Sequence, residues 1–357
     1  MVATPKDIIR EDIRELSAYH VPDARGMVKL DAMENPYGLP EGLRDELALL
    51  ARDAPLNRYP DPAGGALRQR LREVMQVPEG MEILLGNGSD EIIQMLCLAV
   101  AKPGAVVMGV DPSFVMFRMI ATFAGLRYES VPLGAGFALD RNAMFAALER
   151  HRPALTFLAY PNNPTGNLFD PDHMEEVIRR APGLVVVDEA YTAFAGTSFM
   201  DRLAAHSNLV LMRTLSKLGL AGLRLGFLVG RPEWIAEVDK LRLPYNINVL
   251  TQLAAERALA HADVLMEQAA AIRIARAVLL EELTALPGVD ALPSSANFIL
   301  FQVPDVDRVF AGLRQRGVLV KNLNGSHPRL AGCLRVTVGT PEENRAFLDA
   351  LRAALGH

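Results

Sequence analysis

Along the chain, short unbroken apolar runs end abruptly in polar residues. They read MEILLGNGSDE (81–91), AVVMGVDPSF (105–114), LTFLAYPNNPTG (155–166), LVVVDEAY (184–191) and LVLMRTLSK (209–217), with a sixth, RLGFLVG (224–230), close behind. Runs that stay apolar without alternating predict strands buried on both faces, the habit of parallel sheets. Between several of them the spacing becomes that of amphipathic helices, as in DRNAMFAALERH and DPDHMEEVIRRA. Alternating strands and helices predict an α/β fold around a central, mainly parallel sheet. In such folds ligands bind beyond the carboxyl ends of the strands. The residues that follow those ends, Gly88 to Asp90, Phe114, Asn163, Asp188, Tyr191 and Lys217, are therefore expected to converge on one crevice.

The pattern changes after residue 246. NVLTQLAAERALAHADVLMEQAAAIRIARAVLLEELTAL is strongly helical and is expected to include a long connecting helix. A strand NFILFQV, a helix DVDRVFAGLRQRG, strands VLVKNL and CLRVTVG, and a last helix PEENRAFLDALRAAL then predict a smaller α+β unit. ENPYG and RYPDP are extended, proline-rich pieces. The first forty residues are expected to pack beside the small unit or to reach a neighbouring subunit. The expected division is an N-terminal arm (1–37), a large domain (38–248) and a small domain with its connecting helix (249–357).

Composition narrows the class. With 357 residues, half of them apolar, the chain has ample core, and its length favours two domains. A net charge of −5 with both signs interspersed offers no surface for nucleic acid or an anionic membrane. No run of roughly 18 apolar residues occurs, so no membrane span is expected. The opening MVATPKDIIREDIREL is too charged for a signal peptide. Cys97 and Cys333 lie far apart without metal-like spacing and predict buried free thiols of a cytoplasmic protein. The histidines are scattered singly, so no metal site is expected.

Each strand-end residue has an ordinary reading: a solvated lysine, a helix-capping aspartate, a turn in NNPTG, a core phenylalanine. Together they ask for one ligand. A lysine amine in a partly desolvated cleft, here Lys217, can condense with a carbonyl. Asp188 suits a cationic ring nitrogen, Asn163 and Tyr191 a phenolic oxygen, and Phe114 the face of a planar ring. The helix that follows GNGSDE presents free backbone N–H groups to a phosphate, with Ser89, Thr214, Ser216 and Arg224 to help. GNGSDE lacks the third glycine of a dinucleotide fingerprint and the Gly-Lys-Ser/Thr of a P-loop. Pyridoxal 5′-phosphate carries all of these features.

The motifs YPNNPTG, VVVDEAY, TLSKLGLAGLRLGF and CLRVTVGTPEEN, in that order, resemble the class II aminotransferases of pyridoxal-phosphate fold-type I. With LDAMENPYG and NRYPDP at the front, the likeness narrows to the branch acting on histidinol phosphate, and it runs from Asp12 to the C-terminus. The resemblance implies a fold-type I large domain that binds pyridoxal 5′-phosphate. It implies Lys217 as the Schiff-base lysine, Asp188 on the pyridine nitrogen, and Asn163 and Tyr191 on the phenolic oxygen. It implies a phosphate cup from the amides of Ser89 and Asp90 with Thr214, Ser216 and Arg224. Tyr59 would reach that phosphate from a neighbouring subunit, making a homodimer with shared active sites.

For the substrate, the resemblance implies that Arg335 receives the carboxylate of glutamate or the phosphate of histidinol phosphate. Tyr19, Asn35, Asn163, Asn297 and Lys321 would surround it. Two residues depart from the family pattern: Phe114 stands where many members have tyrosine, and Lys321 where they have arginine. Lysine supplies charge without a bidentate fork. The implied reaction is a ping-pong transfer from L-glutamate to imidazole-acetol phosphate, giving L-histidinol phosphate and 2-oxoglutarate in histidine biosynthesis. An aromatic amino-acid aminotransferase and a phospho-amino-acid decarboxylase are the alternatives on the same scaffold. A non-catalytic sensor would be expected to carry a DNA-binding module, and no stretch reads as one.

Overall fold

The computed structural model describes residues 3–18 and 21–356, so Tyr19 lies outside the described residues. The strands are β1 (Val28–Leu30), β2 (Glu82–Gly86), β3 (Val106–Asp111), β4 (Arg127–Pro132), β5 (Leu155–Ala159) and β6 (Leu184–Asp188). They continue with β7 (Leu209–Thr214), β8 (Gly226–Gly230), β9 (Asp290–Ala291), β10 (Phe298–Gln302), β11 (Val318–Asn322) and β12 (Cys333–Thr337). These form two sheets.

The larger sheet has the order β2-β8-β7-β6-β5-β3-β4. Only β8 runs against its neighbours; the other contacts are parallel. Every residue of β5, β6, β7 and β8 is buried. Helices on both faces are the reason. Val185 and Val187 face one core with Leu209, Leu211 and helices Arg141–His151 and Pro171–Arg180. Val186 faces the other with Val210, Met212 and helices Ser89–Ala99 and Val115–Phe123. All six apolar runs became strands of this sheet. β4 did not stand out as such a run, because an edge strand keeps accessible positions along its length, here Arg127 to Ser130.

The smaller sheet has the order β1-β11-β12-β10-β9. Its first strand comes from the N-terminal segment, pairing parallel with β11. Helices Val306–Gln315 and Pro341–Leu355 cover it, the latter opened by a capping box between Thr340 and Glu343. The helical stretch between the sheets is two helices, Val249–Ala260 and Ala262–Thr284. Ala255, Ala258, Leu259 and Leu265 pack into a core of the large sheet. Ala269, Ile272, Leu279 and Leu283 pack into that of the small sheet. The changeover thus falls inside one 23-residue helix, which bridges the two units. No helix among the described residues is long and apolar enough to cross a membrane.

Candidate active site

The carboxyl ends of β3, β5, β6 and β7 deliver Phe114, Asn163, Asp188 and Lys217 to a cavity of about 110 Å³. Ser89, Asp90, Tyr191, Thr214, Ser216 and Arg224 also line it. Every cofactor residue expected from the sequence is therefore in one wall, except Tyr59.

Asp188, at the end of β6, is 5% exposed. Its carboxylate accepts the N–H of Ala190 at 3.0 Å. Burial pushes its carboxyl up to about 7, and the nearby Asp90 and Glu189 add to the rise while Lys217 opposes it. Lys217 donates from Nζ to the carbonyl of Ala32 at 2.9 Å. Burial, with Arg335 and Arg224 close by, pushes its amine down to about 8 against the pull of Glu34 and Asp90. An amine so placed is partly neutral, and so nucleophilic, near neutral pH.

Asn163 links the two halves of the site. Its Nδ2 donates to the hydroxyl of Tyr191 at 3.2 Å, and its Oδ1 accepts from Nη1 of Arg335. The turn that carries it is held by Asn162, whose Nδ2 donates to the carbonyl of Pro112 and to Thr165 Oγ1, at 3.0 and 2.8 Å. This answers why an amide pair follows an apolar strand: one amide builds the loop and the other faces the cavity.

At the opposite end, Gly88 starts helix Ser89–Ala99 at φ 84 with no side-chain cap. Such a helix start offers backbone donors to an anion. Ser216 Oγ accepts from Thr214 Oγ1 at 3.0 Å and from Arg224 Nη1 at 3.4 Å. A Cβ at Gly226 would lie 2.6 Å from the backbone nitrogen of Ser89, and one at Gly88 2.7 Å from Arg224 Nη2. At Gly226 the contact is with backbone that cannot yield, and at Gly88 it is the φ of 84 that favours glycine.

These residues fit pyridoxal 5′-phosphate. A buried carboxylate whose charge is unfavourable alone suits a cationic ring nitrogen, and an uncapped helix start beside Ser216 and Arg224 suits a phosphate. The cavity also holds an amine that gives up its proton readily.

Phe114, Asn163 and Met33 also line a second cavity, of about 550 Å³, together with Lys321 and Arg335. Lys321 and Arg335 are register partners on β11 and β12. Their side chains leave the sheet on the same face, with about 5 Å between Cβ atoms. Arg335 is buried, and its Nη2 donates to the carbonyl of Asp31 at 3.2 Å. Like charges directly opposed destabilise a sheet, and an anion between them reverses the sign. The pair is suited to an oxyanion of more than one negative charge. Arg118, Tyr128, Ser326 and His327, not singled out in the sequence, complete this wall. They come from a helix, an edge strand and a loop, and only folding brings them together.

Three other expected residues lie outside both cavities. Asn297 is fully buried and donates to the carbonyl of Met33 at 2.9 Å, steadying a bend where Met33 has φ 53. Asn35 donates to the carbonyl of Leu218 at 3.3 Å and to Gln268 Oε1 at 2.9 Å. The amide of Asn35 is engaged on both atoms by framework partners, whereas the buried Oδ1 of Asn297 has no hydrogen-bond partner among the described residues. Tyr59 is 79% exposed and stacks on Tyr245 with ring centres 4.3 Å apart.

One pair was missed. Glu189 and Arg213 form a buried ion pair at 2.7 Å, and Glu189 also accepts from Ser198 Oγ and the N–H of Phe199. It locks together the ends of β6 and β7 that carry Asp188 and Thr214. Its signal was present as two charges beside the apolar runs. Among the described residues, no three or more His, Cys, Asp or Glu side chains gather to hold a metal.

The sequence profile of the family described as "Aminotransferase class I and II" matches residues 25–351. The histidinol-phosphate aminotransferase 2 of Cupriavidus pinatubonensis is 58% identical over 353 residues, 98% of this chain and 96% of that one. The histidinol-phosphate aminotransferase 1 of Ralstonia nicotianae is 56% identical, covering 98% of this chain and 94% of that one. Among solved structures, the histidinol-phosphate aminotransferase of Sinorhizobium meliloti in complex with pyridoxal 5′-phosphate superposes with a TM-score of 0.87. It is 25% identical and covers 98% of this chain and 97% of that one.

Proposed function

The chain belongs to the class I and II aminotransferases, and from that premise we propose that it transfers an amino group between L-histidinol phosphate and 2-oxoglutarate. In the biosynthetic direction L-glutamate aminates imidazole-acetol phosphate, a step of histidine biosynthesis. The observation that carries the substrate is the opposed pair Lys321 and Arg335, facing the cavity that adjoins Lys217. A carboxylate needs one guanidinium fork; a phosphate dianion offsets the repulsion of two cations.

When bound, pyridoxal 5′-phosphate supplies a carbonyl for amines and a ring that takes up electrons as an α-proton leaves. The remaining work falls to the chain. Asp188 keeps positive charge on a nitrogen beside it, because that charge relieves its own buried carboxylate. Lys217, partly neutral, takes the proton from the substrate's α-carbon at Nζ and returns it, an effect typically worth ~10²–10⁴-fold. Asn163 and Tyr191 would meet the cofactor's phenolic oxygen and Phe114 a face of its ring. The helix start at Ser89 and Asp90, with Thr214, Ser216 and Arg224, would hold its phosphate. Arg335 serves both substrates in turn, since its fork meets a carboxylate or a phosphate.

The same reading includes a homodimer in the cytoplasm. Tyr59 does not line its own cavity, yet it is exposed with Leu56, three residues before it, and with Leu243, two residues before its stacking partner Tyr245, an apolar face suited to a second copy. The two buried free thiols, Cys97 and Cys333, favour a reducing compartment.

The test adds L-histidinol phosphate, and separately L-phenylalanine, to the purified holoprotein while following the long-wavelength absorption of bound cofactor. Loss of that band at low histidinol phosphate is expected. A response to phenylalanine alone would move the activity to aromatic amino acids, and carbon dioxide release from an added O-phospho-amino acid without any oxo-acid would make the enzyme a decarboxylase.

A further inference from the structure

The loop from Leu323 to Gly332 joins β11 to β12, and therefore joins the two strands that carry Lys321 and Arg335. By chain order it belongs to the small sheet. By packing it belongs to the large one, because Leu323, Leu330 and Cys333 share a core with Leu133, Phe137 and Tyr160. Arg329 makes the attachment. Its Nη1 donates to the carbonyl of Leu133 and its Nη2 to that of Gly134, the latter at 2.7 Å. The guanidinium carbon also lies 4.5 Å from the ring centre of Phe137. The backbone N–H of Arg329 donates to Nδ1 of His327 at 3.1 Å. That bond leaves the other ring nitrogen, Nε2, 3.6 Å from Asp111 at the end of β3. Leu133 in turn donates its N–H to the carbonyl of Asp111 at 3.0 Å, so the acceptors of this loop are one edge of the large sheet.

We propose that Arg329 is a positioning residue for substrate binding: it clasps this loop to the edge of the large sheet and so holds Lys321 and Arg335 over the crevice. The proposal rests on the reading of those two cations as the partners of the substrate oxyanion. Arg329 does not line the substrate cavity, so its influence passes through the loop. Two opposed cations repel, and pairing between β11 and β12 does not by itself tie them to the side of the crevice where Lys217 lies. The clasp provides that tie. A forked, charged donor onto two carbonyl oxygens is directional as well as strong. Lysine, a single point charge on a flexible stem, reproduces the charge and not the fork.

The test compares wild type, Arg329→Leu and Arg329→Lys in the half-reaction of the holoprotein with L-glutamate and with L-histidinol phosphate, which needs no oxo-acid acceptor, and titrates each apoprotein with pyridoxal 5′-phosphate. Arg329→Leu is expected to raise KM for both substrates about tenfold, as a modest displacement of a binding group does. Its kcat should stay within about threefold and its cofactor affinity should not change, a split that loss of binding alone produces. Arg329→Lys should fall between the two. An unchanged KM in both variants overturns the proposal. So does a rise in KM accompanied by a parallel loss of kcat and cofactor affinity, which marks general loosening. If wild type fails to turn over histidinol phosphate, the substrate reading falls, while the glutamate arm still reports on the clasp.

Discussion

At the cofactor end of the crevice, Asp188, Thr214, Ser216 and Lys217 stand at or within three residues of the ends of β6 and β7, adjacent strands of one sheet. At the substrate end, Lys321 and Arg335 meet because two strands of the other sheet pair in one register and a ten-residue loop crosses to the carboxyl ends of β3 and β4. The first arrangement places groups by local chain geometry on a scaffold buried on both faces. The second places them by long-range packing between units that share one bridging helix. The difference separates chemistry from binding. The cofactor end should hold its groups whether or not substrate is present, and the substrate end should set KM.

Substitutions at the two ends break or sharpen that contrast. Lys217→Ala should cost at least about 10⁴-fold in turnover, measured as kcat at saturating substrate, because nucleophile and base are lost together. Arg335→Ala should cost about 10²-fold in kcat/KM for both substrates, mainly through KM. If Arg335→Ala lowered kcat as far as Lys217→Ala does, the division would be wrong. Lys321→Ala should lower kcat/KM for histidinol phosphate about tenfold and leave glutamate nearly unaffected, since one cation suffices for a carboxylate. Equal losses on both substrates would argue against a phosphate at Lys321.

The smallest effect is on stability without cofactor, and it belongs to the cofactor end alone. Asp188 ionises near 3.8 in an unfolded chain and at about 7 in the fold. The folded state binds the extra proton between those values, so the stability contributed falls as pH rises through that window. Lys217 runs from 10.5 down to about 8, so its cost is complete below about 8 and is relieved as pH rises beyond it. Both groups weigh most heavily on the apoprotein between about 7 and 8. Asp188→Asn should therefore raise the thermal midpoint of the apoprotein by a few degrees at pH 8 and hardly at all at pH 4. A midpoint gain independent of pH would show that the buried charge is not its source.

The strands of the large sheet were legible because burial on both faces demands unbroken apolar runs, and the run of valines in LVVVDEAY could hardly do otherwise. β4 was not, since an edge strand carries polar positions and resembles a loop in composition. Asp188, Lys217 and Asn163 were legible for the reason β6, β7 and β5 were: a polar residue at the end of a buried run must face the crevice. Asn35 and Asn297 were expected at the substrate from the family resemblance alone, and they lie outside both cavities. Which amide is spent on a neighbouring carbonyl and which is left for a ligand is a matter of distances, and composition carries none. Glu189 and Arg213 sat in plain view beside the runs, but their pairing required β6 and β7 to be neighbours.

By itself, then, the order of apolar runs and the residues that end them determined the α/β class, the large sheet and the cofactor wall. Those follow from burial, which acts residue by residue along the chain. The tertiary structure alone decided that Lys321 opposes Arg335, that Arg329 reaches Leu133 and Gly134, and that the packing changes over inside a continuous helix. These depend on register and on contacts across nearly two hundred residues, as from Arg329 to Leu133. A one-residue slip in register sends a side chain to the other face without altering composition at all.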